Sequence, residues 1–153
     1  MEYIKSFDEL MNMKRKGEYE LCCDIDCEGK SVNCIIGDFS GKLNGNGHKI
    51  ENLILSDEIW GDEQTLALFY SVTKAEITDI IFDQISVVYD RTCYNPRVAV
   101  LAGNCSNSTI SNVSVILKEA PEALVLIYDV NDCKIENSSI IKDGKPGQIS
   151  MYN

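Results

Sequence analysis

The sequence predicts an all-β fold, a parallel β-helix of about four to five coils with an N-terminal capping α-helix. Three observations lead there. A short pattern recurs: Ile, any residue, Asn or Asp, an aliphatic residue, any residue, then a large apolar one. A block of apolar residues stands at a fixed offset ahead of three of its copies. Turn-forming residues separate short stretches of alternating polarity. The copies are Ile50-Glu51-Asn52-Leu53-Ile54-Leu55, Ile77-Thr78-Asp79-Ile80-Ile81-Phe82, Ile110-Ser111-Asn112-Val113-Ser114-Val115 and a weaker Ile135-Glu136-Asn137-Ser138-Ser139-Ile140. Their leading isoleucines lie 27, 33 and 25 residues apart.

A unit of roughly 25 residues exposes more apolar surface than it can bury alone, so neighbouring units must stack. Equivalent residues then form columns about 4.8 Å apart, the spacing of paired strands. Asn52, Asp79, Asn112 and Asn137 form one expected column. These side chains tolerate left-handed backbone at a tight turn, and stacked amides bond one another. The upstream blocks are Leu66 to Tyr70, Ala99 to Gly103 and Leu124 to Tyr128. The same alignment puts Val72, Cys105 and Val130 in one column and Ala75, Ser108 and Cys133 in another. Cys105 is thus expected inside, as a small core filler.

The elements follow in chain order. Residues 1–17 read as a cap helix covering the first coil. Ser6-Phe7-Asp8-Glu9 is a capping box ahead of Leu10, Met11 and Met13. Lys14, Arg15 and Lys16 suit the negative end of the helix dipole, and Gly17 reads as its stop. Residues 18–141 form the coils, with an insertion expected between Gln84 and Arg97 in the longest one. The tail from Lys142 to Asn153 has two glycines and a proline and reads as irregular. All 153 residues make one domain.

Composition bounds the function. The chain carries 24 acidic and 14 basic residues, a net charge of −10. Such a surface repels DNA, RNA and anionic lipid. No apolar run is long enough for a transmembrane helix. The first residues, Met1-Glu2-Tyr3-Ile4-Lys5, lack the basic and apolar regions of a signal peptide. The seven cysteines stand at 22, 23, 27, 34, 93, 105 and 133, with no C-x-x-C pair. The Cys22, Cys23, Cys27, Cys34 group could suggest zinc, but it does not form the two C-x₂₋₄-C pairs of a structural site. Free thiols persist in reducing compartments, so all seven are expected unpaired and the protein cytoplasmic. In that compartment the sequon Asn107-Ser108-Thr109 carries no glycan.

Several segments resemble the GLUG-type repeats of right-handed parallel β-helices in bacterial surface and adhesin-like proteins. They are Tyr19-Glu20-Leu21, Asp24-Ile25-Asp26, Ile36-Gly37, and Phe39-Ser40-Gly41-Lys42-Leu43-Asn44-Gly45-Asn46-Gly47-His48-Lys49-Ile50. Asn52-Leu53, Leu68-Phe69 and Ile77-x-Asp79-Ile80 continue the likeness, which spans residues 4 to 141. It implies the pectate-lyase-like solenoid fold with right-handed coiling. It says little about activity, because function sits in sites grafted onto folds.

Few residues suit catalysis. Polysaccharide-cleaving β-helix enzymes use calcium-binding carboxylates and an Arg or Lys base. The three arginines here are Arg15 on the expected cap and Arg91 and Arg97 in the expected loop. A strongly acidic surface also repels an acidic substrate. His48, the single histidine, stands where the family motif accepts His without catalysis. Gly45-x-Gly47 lacks the setting of a phosphate loop. Asp24 and Asp26 could hold calcium, but the family motif accounts for them. No enzyme activity, cofactor or metal is therefore expected.

The distribution of acids is more informative. From Gly17 to Ala67 there are eleven acids against three bases, Lys30, Lys42 and Lys49. Asp57, Glu58, Asp62 and Glu63 surround Trp60, the only tryptophan, just outside the repeat columns. A tryptophan ringed by charge is a typical binding hot spot. Glu51, Asp57, Glu58, Trp60, Asp62 and Glu63 are therefore the expected partner-binding residues. The expected function is a non-catalytic intracellular acidic binding protein. Its partner would be a protein with a basic surface, such as a nucleic-acid-binding protein blocked by charge mimicry. Small phage inhibitors of the anti-CRISPR kind share this compositional profile. The alternative is a cell-surface carbohydrate-binding or adhesion β-helix module. Oligomeric state stays open between a monomer and a dimer through an open solenoid end.

Overall fold

Parallel strands stack along five columns of inward-facing side chains. The structure, a computed structural model, describes residues 1–56, 65–89, 97–120 and 124–152. The chain is all-β, a parallel β-solenoid of about three turns. The expected levels are present, five strands in the longest columns, but the end coils are incomplete. A single strand and a short helix stand ahead of the first coil, and a hairpin cuts the last one short.

Pairing fixes the register. Tyr19, Leu43, Ile77, Ile110 and Ile135 share one column, 24, 34, 33 and 25 residues apart. Ile25, Ile50, Phe82, Val115 and Ile140 share the next. Val32, Leu55 and Val87 begin a third face. The second sheet stacks Ile36, Phe69, Ala102 and Ile127, and beside them Phe39, Val72, Cys105 and Val130. The upstream blocks and the Cys105 column thus lie where the repeat alignment puts them, and Cys105 is buried.

Corners between faces are made by left-handed residues, and here one expectation is corrected. Asp79, Asn112 and Asn137 do share a corner, all with positive φ. Their partner from the preceding coil is Asn46, not Asn52, because Leu43 rather than Ile50 pairs with Ile77. Asn52 belongs to the next corner, with Glu28 and Gln84. A third left-handed set, Lys74, Asn107 and Asp132, turns the chain from the second sheet back to the first. The strand Glu76–Val88 bends through two of these corners, at Asp79 and Gln84. Close approach of coils demands glycine: a Cβ at Gly45 would overlap the Asp79 carbonyl and the Ile80 side chain, and one at Gly41 the Gly17 carbonyl.

The two ends depart from expectation. The helix spans only Phe7–Met11. Ser6 caps it, its Oγ accepting from the Glu9 N–H at 3.2 Å, while the Glu9 carboxylate accepts from the Lys5 N–H at 2.8 Å. The stop is Asn12, whose side-chain amide donates to the Asp8 carbonyl at 2.8 Å and satisfies a terminal acceptor. Lys14, Arg15, Lys16 and Gly17 therefore lie beyond the helix, and the basic run does not serve its dipole. A strand, Glu2–Ile4, precedes it and pairs with Glu18–Leu21. The capping role holds, since Leu10 and Met13 are buried in the core that includes the first coil.

The tail is not irregular. Asp143 and Gly144, both with positive φ, make a two-residue hairpin joining Ser139–Lys142 to Lys145–Pro146. Asp-Gly is a favoured pair for such turns because both central residues must adopt left-handed backbone. Gln148–Tyr152 then adds a parallel strand to Val125–Asn131. The insertion expected between Gln84 and Arg97 is in part strand: Ile85 to Val88 pair with neighbouring coils. Residues 90–96 lie outside the described residues.

Candidate functional site

Of the six expected binding residues, Glu51 is described; Asp57, Glu58, Trp60, Asp62 and Glu63 lie outside the described residues, as do Arg91 and Cys93. Glu51 sits on the strand Lys49–Glu51, and the alternation that buries Ile50 turns it outward. Register puts it between two further carboxylates, Asp26 on one coil and Asp83 on the other. The three acids form a column at strand spacing, about 4.8 Å per step. Sequence reasoning missed Asp83 because it aligned Ile50 with Ile77 instead of Phe82. The signal was present: Ile50-Glu51-Asn52 and Phe82-Asp83-Gln84 share the order apolar, acid, turn-forming amide.

Like charges directly opposite one another weaken a sheet, and local contacts offset this only in part. The Lys49 ammonium reaches Asp83 at 3.7 Å. Asp26 accepts from the Glu28 N–H at 2.9 Å and from the Asn52 amide at 3.0 Å. The Asn52 bond first and the Glu28 bond second hold the Asp26 carboxyl below the usual carboxylate range. Beside this column, Asp24 accepts from the Lys49 N–H at 2.9 Å and contacts His48 Nδ1 at 3.2 Å. Its carboxyl is likewise lowered, chiefly by the Lys49 N–H. Asp24 and Asp26 thus tie successive coils together, and His48 flanks an acid rather than a nucleophile. Among the described residues no group of three His, Cys, Asp or Glu converges as a metal site.

A second feature follows the Asn46, Asp79, Asn112, Asn137 corner. A shallow cleft of about 360 Å³ runs along it, lined also by Gly47, Ile81 and Ser114. The Asn112 amide donates to Asp79 at 2.9 Å, so the expected ladder forms at this step. Asn46 instead donates to the Leu21 carbonyl at 3.0 Å. Ser138, which weakened the fourth repeat, bridges two backbone groups. Its hydroxyl accepts from the Val113 N–H at 3.2 Å and donates to the Glu136 carbonyl at 2.8 Å. Ser108 does the same for the Ala75 N–H and the Ser106 carbonyl.

The described cysteines, 22, 23, 27, 34, 105 and 133, are free thiols. Burial pushes the Cys27 thiol up to about 11 and also raises those of Cys34 and Cys105. No helix among the described residues is long and apolar enough to cross a membrane. Comparison of the chain with protein-family models, with curated proteins and with solved structures finds no match to any of them. The likeness to GLUG-type repeats therefore rests on the motifs quoted above.

Proposed function

We propose that the protein is a non-catalytic acidic binding protein that takes a basic surface of another protein. The observation that carries this reading is the Asp26, Glu51, Asp83 column. Three coils align carboxylates where sheet stability favours neutral or opposite charges. Such departures from local consistency cluster at functional surfaces. The strand Ile54–Ser56 follows directly and leads into the Asp57 to Glu63 acids and Trp60. A rigid row of negative charge at about 4.8 Å per step approaches the one charge per roughly 3.4 Å along each strand of B-form DNA. The partner class that fits is a nucleic-acid-binding protein in the cytoplasm, held by charge mimicry; the likeness to anti-CRISPR-type inhibitors is one of composition. Acid charge would steer association and Trp60 would slow release.

The test combines capture and competition. Wild type and a form with Glu51, Asp57, Glu58, Asp62 and Glu63 changed to lysine are used as baits in cell lysate at low and high salt. Captured basic proteins are then assayed for nucleic-acid binding with added wild type. The expected result is salt-sensitive capture by wild type alone, loss of nucleic-acid binding by the captured protein, and a faster off-rate for Trp60→Ala. Equal recovery by both baits would refute the reading.

One observation favours a second reading, the carbohydrate-binding module. The corner cleft offers amide donors and acceptors beside the half-buried Ile81, a surface suited to a neutral glycan. Binding of neutral oligosaccharides that Asn112→Gly abolishes would support it in place of the first.

A further inference from the structure

The thiols of Cys105 and Cys133 are a modification site of a kind that neither binding reading uses. They belong to successive coils. Cys105 lies on the strand Arg97–Ser106, paired with Val130 of the next coil. Cys133 follows that valine after the left-handed corner at Asp132. There it stacks under Ser108, whose carbonyl accepts from the Lys134 N–H at 2.9 Å. The Cys133 S–H points at the Cys105 sulfur with the two sulfurs 2.8 Å apart, and it also reaches the Asn131 carbonyl at 3.6 Å. Cys105 is buried and Cys133 half-buried. Cys133 lines an open cleft of about 600 Å³ with Val130, Ile135 and Ile149. One thiol is thus reachable from solvent, and the other waits behind it.

We propose that Cys105 and Cys133 are a peroxide-responsive pair, in which Cys133 is oxidised first and Cys105 resolves it to a disulfide joining two coils. The oxidant class is a hydroperoxide, hydrogen peroxide being the simplest. The Cys133 sulfur attacks one peroxide oxygen, the O–O bond breaks, and Cys133 becomes a sulfenic acid with release of water. The Cys105 sulfur then attacks the Cys133 sulfur. The S–O bond breaks, the hydroxyl leaves with the Cys105 proton as a second water, and the S–S bond forms. Two thiols lose two electrons, and the peroxide is reduced to two waters. The order follows from access: Cys133 lines the open cleft whereas Cys105 is buried behind it, and burial raises the Cys105 thiol, which further disfavours it as first nucleophile. The sulfurs need only close from contact to the bonded distance of about 2.05 Å. Neighbouring columns show that the pair is not required for packing. Val72 and Val130 fill the positions equivalent to Cys105, and Ala75 and Ser108 those equivalent to Cys133.

The experiment uses the full chain, reduced, freed of reductant and treated with a small excess of hydrogen peroxide. The reaction is quenched by alkylation, and peptides are mapped by mass spectrometry without reduction. The expected product is a Cys105–Cys133 linked peptide pair within one chain, lighter by two hydrogen atoms and reversed by thiol reductant. Cys105→Val repeats the residue of the adjoining coils and preserves the core. In it Cys133 should stay as a sulfenic acid that dimedone traps, and in Cys133→Ser the Cys105 thiol should remain fully alkylatable. Oxidation of wild-type Cys133 to sulfinic acid with Cys105 still alkylatable would overturn the proposal. So would a cross-link between two chains or one through a different cysteine.

Discussion

Replacing Ile80 by alanine tests the stacked core most directly. Ile80 is 0% exposed and pairs with Val113, also fully buried, on the next coil. Its backbone presses against Gly45 of the coil before, where even a methyl group has no room. The substitution removes three carbons, about 2.4 kcal/mol at roughly 0.8 kcal/mol per buried methylene. The close-packed neighbours cannot collapse fully into the space, so a cavity term adds to this and brings the cost to about 3–4 kcal/mol. Glu136→Ala, on an outward position of the fourth repeat, should cost no more than about 0.5 kcal/mol. Urea unfolding followed by circular dichroism reads both. With a slope of about 2 kcal/mol/M, Ile80→Ala should lower the midpoint by about 1.5–2 M and Glu136→Ala by less than about 0.3 M. Equal slopes make the midpoints comparable. Midpoints that coincide for the two variants would refute the inward phase of Ile80 and with it the column register.

Three further outcomes can be checked by the same unfolding measurement. Asn112→Ala should cost more than Asn112→Gly. Both lose the bond to Asp79, worth about 0.5–1.5 kcal/mol, but alanine alone meets the left-handed backbone penalty of about 1–2 kcal/mol. Gly45→Ala should destabilise by about 1–3 kcal/mol or more through collision with Asp79 and Ile80. Gly37→Ala, with its nearest neighbour at 3.7 Å, should stay within about 0.5 kcal/mol of wild type. Acid should weaken the fold through Asp24 and Asp26. Their folded carboxyls titrate below the ordinary 3.8, so their contribution is fully present above that value and is lost as pH falls through the lower folded values. Asp26→Asn should flatten the acid limb of a stability–pH curve below about pH 4 and leave the neutral plateau sloped as before.

Much of the fold was legible because stacking repeats a demand at each coil. Cys105 could be assigned to the interior from Val72 and Val130 alone, since a column shares one environment. The ends were less legible because nothing repeats there. The N-terminal apolar pattern suits a helix over 1–17, yet residues 2–4 form a strand and the helix runs only from Phe7 to Met11, where Asn12 caps it. At the other end glycine and proline suggest an irregular path, whereas Asp143-Gly144 is a hairpin signal preceded by Ile140 and Ile141. The residues expected to bind were legible as composition, an excess of acid around one tryptophan, but composition carries no register.

That loss of register had one physical source. Two corners are built alike in several coils: an inward aliphatic or aromatic residue, an outward residue, a left-handed Asn, Asp or Gln, and the next strand. Ile50-Glu51-Asn52-Leu53 and Ile77-Thr78-Asp79-Ile80 meet the same local demand, yet they occupy different corners. Local chemistry therefore identifies a corner without saying which corner it is. Only pairing decides, and pairing sets Leu43-Asn44-Gly45-Asn46 beside Ile77-Thr78-Asp79. Between the same two columns, Leu43 to Ile50 takes a longer path than Ile77 to Phe82, and Gly45 lets that path pass the Asp79 carbonyl and Ile80. Shifting the phase by one corner brings Asp83 over Glu51 and Asp26. Acids that look scattered along the chain become a single row, and the charge excess acquires a direction a partner could follow. The same shift puts that row and the amide cleft at Asp79 and Asn112 on different corners, so separate sets of substitutions address the two binding readings.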